Sequence, residues 1–291
     1  MTALSSPQAP AGTAHRPERV ERIRQAAHRI RRNALVMGEV QGQGYIGQAL
    51  GVADVLAVVY TDQLRHRPED PHWPDRDRFL LSIGHYAIAA YAAMAEAGII
   101  PIEELETYGS DDSRLPMSAM ASYTPGMEIS GGSLGHGLGV ATGMALGLRH
   151  LGNEARVFDL LSDGELDEGA TWEAAMACAH HGLDSVTAIV DVNALQADGP
   201  TAGVLRTEPL VDKWQAFGWH ALRVDGNDVT ALVAAFDEIR GHRGSPSVLI
   251  CDTRIGCGVP LLENREKAHF MRVDEAEWQI ARNQLQEGLA R

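Results

Sequence analysis

Asp163 and Asn193 stand thirty positions apart, each just past a run of apolar residues. The two runs, ARVFDLLSDG and SVTAIVDVN, are nearly continuous rather than alternating. That is the pattern of strands covered on both faces of a parallel sheet. Between them EGATWEAAMACAHHG has helical character and closes at Gly182. A strand–helix–strand unit implies adjacent parallel strands. It predicts Asp163 and Asn193 side by side at the carboxyl edge of one sheet, where open α/β sheets bind ligands. Mg²⁺ takes about six oxygen ligands and commonly shares them with a phosphate. Asp163 offers a charged oxygen, Asn193 a neutral one and the Leu195 carbonyl a third. Gly164 permits close backbone approach, and the helix after it directs its amides and positive dipole end the same way. Such a set suits a metal-bridged diphosphate.

The elements that must position this site can be read along the chain. Residues 1–17 form a loose tail rich in Ala, Pro and Ser, without the apolar core of a signal peptide. From Pro17 a helix is predicted, with Val20, Ile23, Ala27 and Ile30 at helical spacing and arginines between them on a solvated face. A glycine-rich loop around Gly42, Gly44 and Gly47 leads into the apolar helix GVADVLAVVY. This GxGxxG follows a helix rather than a strand, so it is no dinucleotide fingerprint. A strand at 79–84, an alanine-rich helix at 85–97 and an irregular segment over about 108–139 follow. The last ends in GGSLGHGLG and gives way to a small-residue helix. WHALRVDG, a helix over about 229–240 and SVLICDTR complete the pattern. The prediction is one α/β domain over residues 18–291, a mostly parallel sheet with helices on both faces.

Composition narrows the function. Lys and Arg number 25 against 39 Asp and Glu, a net charge of −14. Such a surface repels nucleic-acid backbones and anionic membranes, and no apolar run reaches membrane-spanning length. Cys178, Cys251 and Cys257 show neither metal-ligand spacing nor a disulfide framework, which suits a reducing, cytoplasmic setting. Ser162 lacks a nucleophile-elbow sequence, and the cysteines lack an activating partner in sequence. His180 and His181 close a helix, where its C-terminal dipole favours them.

LLSDGELDEGATWEAAMACAHHGLDSVTAIVDVNALQADGPT resembles the cofactor-binding core of transketolases, most closely the N-terminal subunit of split, two-component ones. GVADVLAVVY, FLLSIGHYAIAAYAAMAEAG, EISGGSLGHGLGVATGMALG and DTRIGCGVPLLENREKAHF extend the likeness in order over roughly residues 20–275. The resemblance implies a thiamine-diphosphate-binding fold with thiamine diphosphate as cofactor. It implies that Asp163, Asn193 and the Leu195 carbonyl bind Mg²⁺, with Ca²⁺ or Mn²⁺ as alternatives. It puts Gly132, Ser133, Leu134, Gly164 and Glu165 against the cofactor and His85 near its diphosphate or reacting end. Glu168 corresponds to a carboxylate at the subunit contact, and His269 to a histidine assisting proton transfer on the donor sugar. Activity would require a C-terminal transketolase-like subunit carrying the pyrimidine-binding domain, in an α₂β₂ assembly with homodimerisation through the diphosphate domain.

The chain departs from the family at defined places. Ser162 replaces the usual glycine before the aspartate, a change expected to leave metal binding intact. Tyr45 and Ser118 stand where two donor-contacting histidines are usual. A serine hydroxyl donates but is no base near neutral pH. These changes predict an intact cofactor site and an altered donor, a modified sugar or a 2-oxo acid. His136 replaces a common glutamine and is expected to serve packing. The leading expectation is transfer of a two-carbon ketol or related acyl-anion unit to an aldehyde. The alternatives are a subunit of a 2-oxo acid decarboxylase or carboligase, and a catalytically silent regulatory subunit.

Overall fold

Five apolar runs pair in parallel into one sheet: β1 (Arg78–Leu81), β2 (Val157–Ser162), β3 (Val186–Val192), β4 (His220–Asp225) and β5 (Ser247–Asp252), in the order β1-β2-β3-β5-β4. This computed structural model describes residues 16–263, 265 and 268–289. Most of the predicted tail, and residues 264, 266 and 267 of the C-terminal loop, lie outside the described residues. Helices α1 (Arg16–Gln41), α2 (Ala87–Glu96), α3 (Gly137–His150), α4 (Gly169–His180), α5 (Val229–Gly241) and α6 (Glu275–Leu289) frame the sheet.

Strand β2 is buried along its whole length, which explains its unbroken apolar run. Phe158 and Leu160 face a core built with α1, α2, α5 and α6, while Val157 and Leu161 face a second core with α3 and α4. Helices thus cover both faces, as the sequence pattern requires. Helix α2 is buried on every side, because its alanines and Ile88, Tyr91 and Met94 leave no polar face to present. The predicted glycine-rich loop is shorter than expected: Gly47 already lies in the helix Ile46–Gly51. Among the described residues no helix is long and apolar enough to cross a membrane.

Arg16, Arg22, Arg24 and Arg32 of α1 are exposed as expected, but three other arginines of the helix are paired. Arg19 pairs with Asp62 and Asp237, Arg29 with Glu96, and Arg31 with Asp54. Their partners are remote in sequence, so the pattern of α1 alone cannot show them. Arg31 and Asp54 are both buried. Arg31 Nε also donates to the Leu50 carbonyl at 3.0 Å, and Asn227 Nδ2 donates to Asp54 at 3.1 Å. Removing one member of a buried pair leaves the other charge uncompensated. Asp54→Ala should therefore lower unfolding stability by about 3–5 kcal/mol in urea titrations; a loss under ~1 kcal/mol would mean that the pair is solvated.

Candidate functional site

Ser162 at the end of β2 pairs with Asp191 of β3. The next residue, Asp163, donates its backbone N–H to the Asp191 carbonyl at 2.9 Å. Asp163 and Asn193 are therefore neighbours at the carboxyl edge of the sheet, as the βαβ spacing predicted. The Asp163 carboxylate accepts from the amides of Gly164 and Ala194 and from Thr201 Oγ1, each at 2.9 Å. Ala194 reaches it through a left-handed backbone, φ +62°, a conformation found at turns and functional sites for non-glycine residues. Burial above all, with Asp191 nearby, raises the Asp163 pKa to about 6 despite these donors. A bound cation would reverse that.

Asn193 is held with its oxygen and nitrogen distinguished. Its Nδ2 donates to Tyr86 Oη and to Asp191 Oδ2, both at 2.8 Å, and its Oδ1 accepts from Leu195 N at 3.1 Å. Asp191 also accepts from Tyr86 Oη at 2.7 Å and from Thr253 Oγ1. Burial raises its pKa too. Asp191, Tyr86 and Thr253 are the supports that sequence reasoning missed. The usable signal was an aspartate inside an otherwise apolar strand.

The aromatic candidates converge. Tyr45 lies 4.6 Å from His85, 5.4 Å from His269 and 5.2 Å from Phe270 between ring centroids. Gln48 Nε2 donates to the His269 carbonyl at 2.7 Å and lies 3.2 Å from its Nδ1. His269 and Leu195 line the same cleft, which brings the cluster next to the metal candidates. A cleft of about 440 Å³ opens here between Tyr45, His269, Phe270 and the Leu195–Gly199 turn.

The glycine segment lies directly on the end of β1. A Cβ on Gly84 would come within 2.4 Å of the Gly131 backbone, and one on Gly131 within 2.2 Å of the Leu81 carbonyl. Only glycine fits at both places. Gly132 and Ser133 are exposed and Leu134 half-buried, and Ser118 Oγ lies 3.5 Å from the position of a Gly132 Cβ. Gly132 and Ser118, from separate segments, are thus brought together.

Other candidates fall differently. Glu165 is fully buried and accepts from Ser82 Oγ and from the Gly135 amide. Its side chain faces the interior, where the Ser82 hydroxyl and the Gly135 amide hold it. Burial raises its pKa to about 7. Glu168 is exposed at the start of α4, beside Gly135. His136 is exposed rather than packed, its Nδ1 3.2 Å from the Leu134 carbonyl.

A parallel α/β sheet with the oxygen-bearing side chains of Asp163 and Asn193 at two neighbouring strand tips defines the class of site, and comparison with known proteins gives its family. Residues 23–288 match the transketolase, thiamine diphosphate binding domain. The chain belongs to that family. It is 65% identical over 253 residues to a transketolase family protein of Sinorhizobium fredii, covering 87% of this chain and 91% of that one. It is 38% identical to the 6-deoxy-6-sulfo-D-fructose transketolase subunit of a Clostridium species, over 84% of this chain and 89% of the other. It is 36% identical to an apulose-4-phosphate transketolase subunit of Actinobacillus succinogenes, over 92% and 97%. The solved transketolase of Campylobacter jejuni superposes with a TM-score of 0.84 at 27% identity, over 91% of this chain and 43% of that one. The chain therefore spans under half the length of that solved transketolase.

His85 supplies a pH test. Burial, and then His269, lower its pKa to about 4. The unfolded chain takes up this proton near pH ~6.5 and the folded chain does not. His85 should therefore cost stability as pH falls from about 6.5 towards about 4. Nitrogen-15 spectra of labelled histidines should show its ring neutral across that window; a midpoint near ~6.5 would show an open, solvated ring.

Proposed function

We propose that this chain is the diphosphate-binding subunit of a two-subunit transketolase-like enzyme that transfers a ketol unit from a modified sugar donor to an aldehyde. The observation that carries this reading is the pairing of Asp163 with an oriented Asn193 at adjacent strand tips. The residues fit the implied cofactor. Asp163 is a buried carboxylate whose pKa burial has raised, and Asn193 keeps its Nδ2 turned to Asp191 and Tyr86. Asp163, Asn193 and the Leu195 carbonyl would hold Mg²⁺, or Ca²⁺ or Mn²⁺ in its place. All are oxygen donors, as a hard cation requires. Among the described residues no group of three His, Cys, Asp or Glu side chains could hold a metal. Cation and diphosphate are accordingly expected to bind together, each supplying what the other lacks.

Thiamine diphosphate, when bound, supplies the carbanion chemistry that cleaves a carbon–carbon bond beside a ketone. The chain binds and orients. The Gly132–Leu134 segment and the Gly164 turn offer backbone groups to the diphosphate. His85 and His269 hold neutral imidazoles, able to donate or accept a proton at a ring nitrogen. Glu168 lies exposed, where a neighbouring copy could meet it.

The partner reading rests on relatives of this chain's length that are named as transketolase subunits. A separate chain with the pyrimidine-binding domain would complete the pocket, in an α₂β₂ assembly of the cytoplasm. The donor reading rests on Tyr45. In place of an imidazole it brings a phenol against His85, His269 and Phe270, a hydroxyl that hydrogen-bonds to a donor differently from an imidazole nitrogen. The two relatives named for a sulfo-sugar and for apulose 4-phosphate support a modified sugar as donor.

Two measurements test this. Loss of even an outer-shell partner costs a metal site about 10–100-fold, so Asp163→Ala should lower Mg²⁺-dependent thiamine diphosphate affinity by at least ~100-fold in calorimetry. Unchanged affinity, or robust turnover by this chain without a second polypeptide, would sink the half-site. With the partner chain present, Tyr45→His should raise kcat/KM for xylulose 5-phosphate by about tenfold, the worth of one good hydrogen bond to a charged or reacting group. A wild-type enzyme that already uses xylulose 5-phosphate as fast as a modified donor would contradict the donor assignment.

A further inference from the structure

Beneath the glycine segment lies a buried polar cluster that the proposed cofactor contacts do not use. Ser82 follows β1, Asp159 sits within β2 and Glu165 lies in the turn after it, with exposures of 1%, 0% and 0%. Ser82 Oγ donates to Glu165 Oε1, which also accepts the Gly135 N–H at 2.7 Å. Ser82 Oγ in turn accepts the Gly137 N–H at 3.0 Å, and the Ser82 carbonyl accepts that of Gly132 at 3.3 Å. Three amides of one segment are thus drawn inward to one serine and one glutamate. The amides of Ser133 and Leu134 stand between these ties.

The contact leaves no slack. A Cβ on Gly137 would meet Ser82 at 2.3 Å and Asp159 Oδ1 at 2.8 Å. On the far side, both oxygens of Asp159 and Oε2 of Glu165 are buried without a hydrogen-bond partner among the described residues. Buried oxygens left unpaired cost free energy. The chain retains them close to the carboxyl oxygen that holds the loop. Ordering a segment with glycines at 131, 132, 135 and 137 costs more backbone entropy than ordering ordinary residues. A fixed internal acceptor is a direct way to offset it.

We propose that Ser82 and Glu165, backed by Asp159, are positioning residues that hold segment 131–137 in the shape that receives the diphosphate. This rests on the cofactor reading above. None of the three touches the cofactor. What the clamp needs is an acceptor at Glu165 Oε1, and a glutamine carbonyl supplies it as a carboxylate does.

The test combines two readouts on the full chain. Amide hydrogen exchange of the 131–137 segment is followed without cofactor, with α6 as internal control, and thiamine diphosphate with Mg²⁺ is titrated by calorimetry. Glu165→Ala and Ser82→Ala should each speed exchange in the segment by about tenfold or more and weaken binding by about tenfold, the scale of one buried hydrogen bond. Glu165→Gln should stay within about threefold of wild type in both. Wild-type exchange and affinity in both alanine variants would overturn the clamp, as would a glutamine variant no better than alanine. Should Glu165→Ala fail to fold, Ser82→Ala decides. If even the wild-type chain binds no cofactor, the cofactor reading fails, and the exchange arm still decides the clamp.

Discussion

Two carboxylates, Asp163 and Asp191, lie buried at the tips of neighbouring strands, and among the described residues neither has a cationic partner. Burial raises the pKa of both. Such an arrangement is costly unless something positive arrives. The chain's net charge of −14 adds to the difficulty of seating a diphosphate. On the proposed reading one divalent cation would meet both needs, held by Asp163 and binding together with the anion. Most of the local hydrogen bonds fix the orientation of Asp163 and Asn193.

The two carboxylates have different tasks. Asp191 stays behind the site, where Tyr86, Thr253 and Asn193 Nδ2 saturate it, and in doing so it fixes which way the Asn193 amide faces. Asp163 stands forward, steadied by the Gly164 and Ala194 amides and by Thr201. Supporting hydrogen bonds of this kind set ligand orientation and metal affinity. On the other flank, Ser82 and Glu165 bring the glycine segment down on the end of β1. The aromatic cluster of Tyr45, His85, His269 and Phe270 closes the third side. Each wall comes from a different part of the chain, and the sheet edge is their common reference.

What sequence could show follows from range. Asp163 and Asn193 were legible because a βαβ unit converts thirty residues of separation into one strand spacing. The parallel sheet was legible because strands covered on both faces carry unbroken apolar runs. The solvated face of α1 holds for Arg16, Arg22, Arg24 and Arg32, whereas the pairing of Arg19, Arg29 and Arg31 was hidden because Asp62, Asp237, Glu96 and Asp54 are distant in sequence. Glu165, which the resemblance puts against the cofactor, turns its side chain inward from the tight turn Glu165–Asp167 to Ser82 and Gly135, partners that are distant in sequence. His136 was assigned to packing, and in the single chain its side chain is exposed. The convergence of Tyr45 with His85 and His269 depends on residues from three separated segments, which no local pattern reveals.

The most direct test is to locate the metal. Crystals of the chain grown with thiamine diphosphate and Mn²⁺ give an anomalous signal at the ion. A single peak within about 2.0–2.4 Å of an Asp163 carboxylate oxygen, Asn193 Oδ1 and the Leu195 carbonyl, with diphosphate oxygens completing the shell, is the expected result. A peak elsewhere, or a diphosphate bound away from the tips of β2 and β3, would contradict the account.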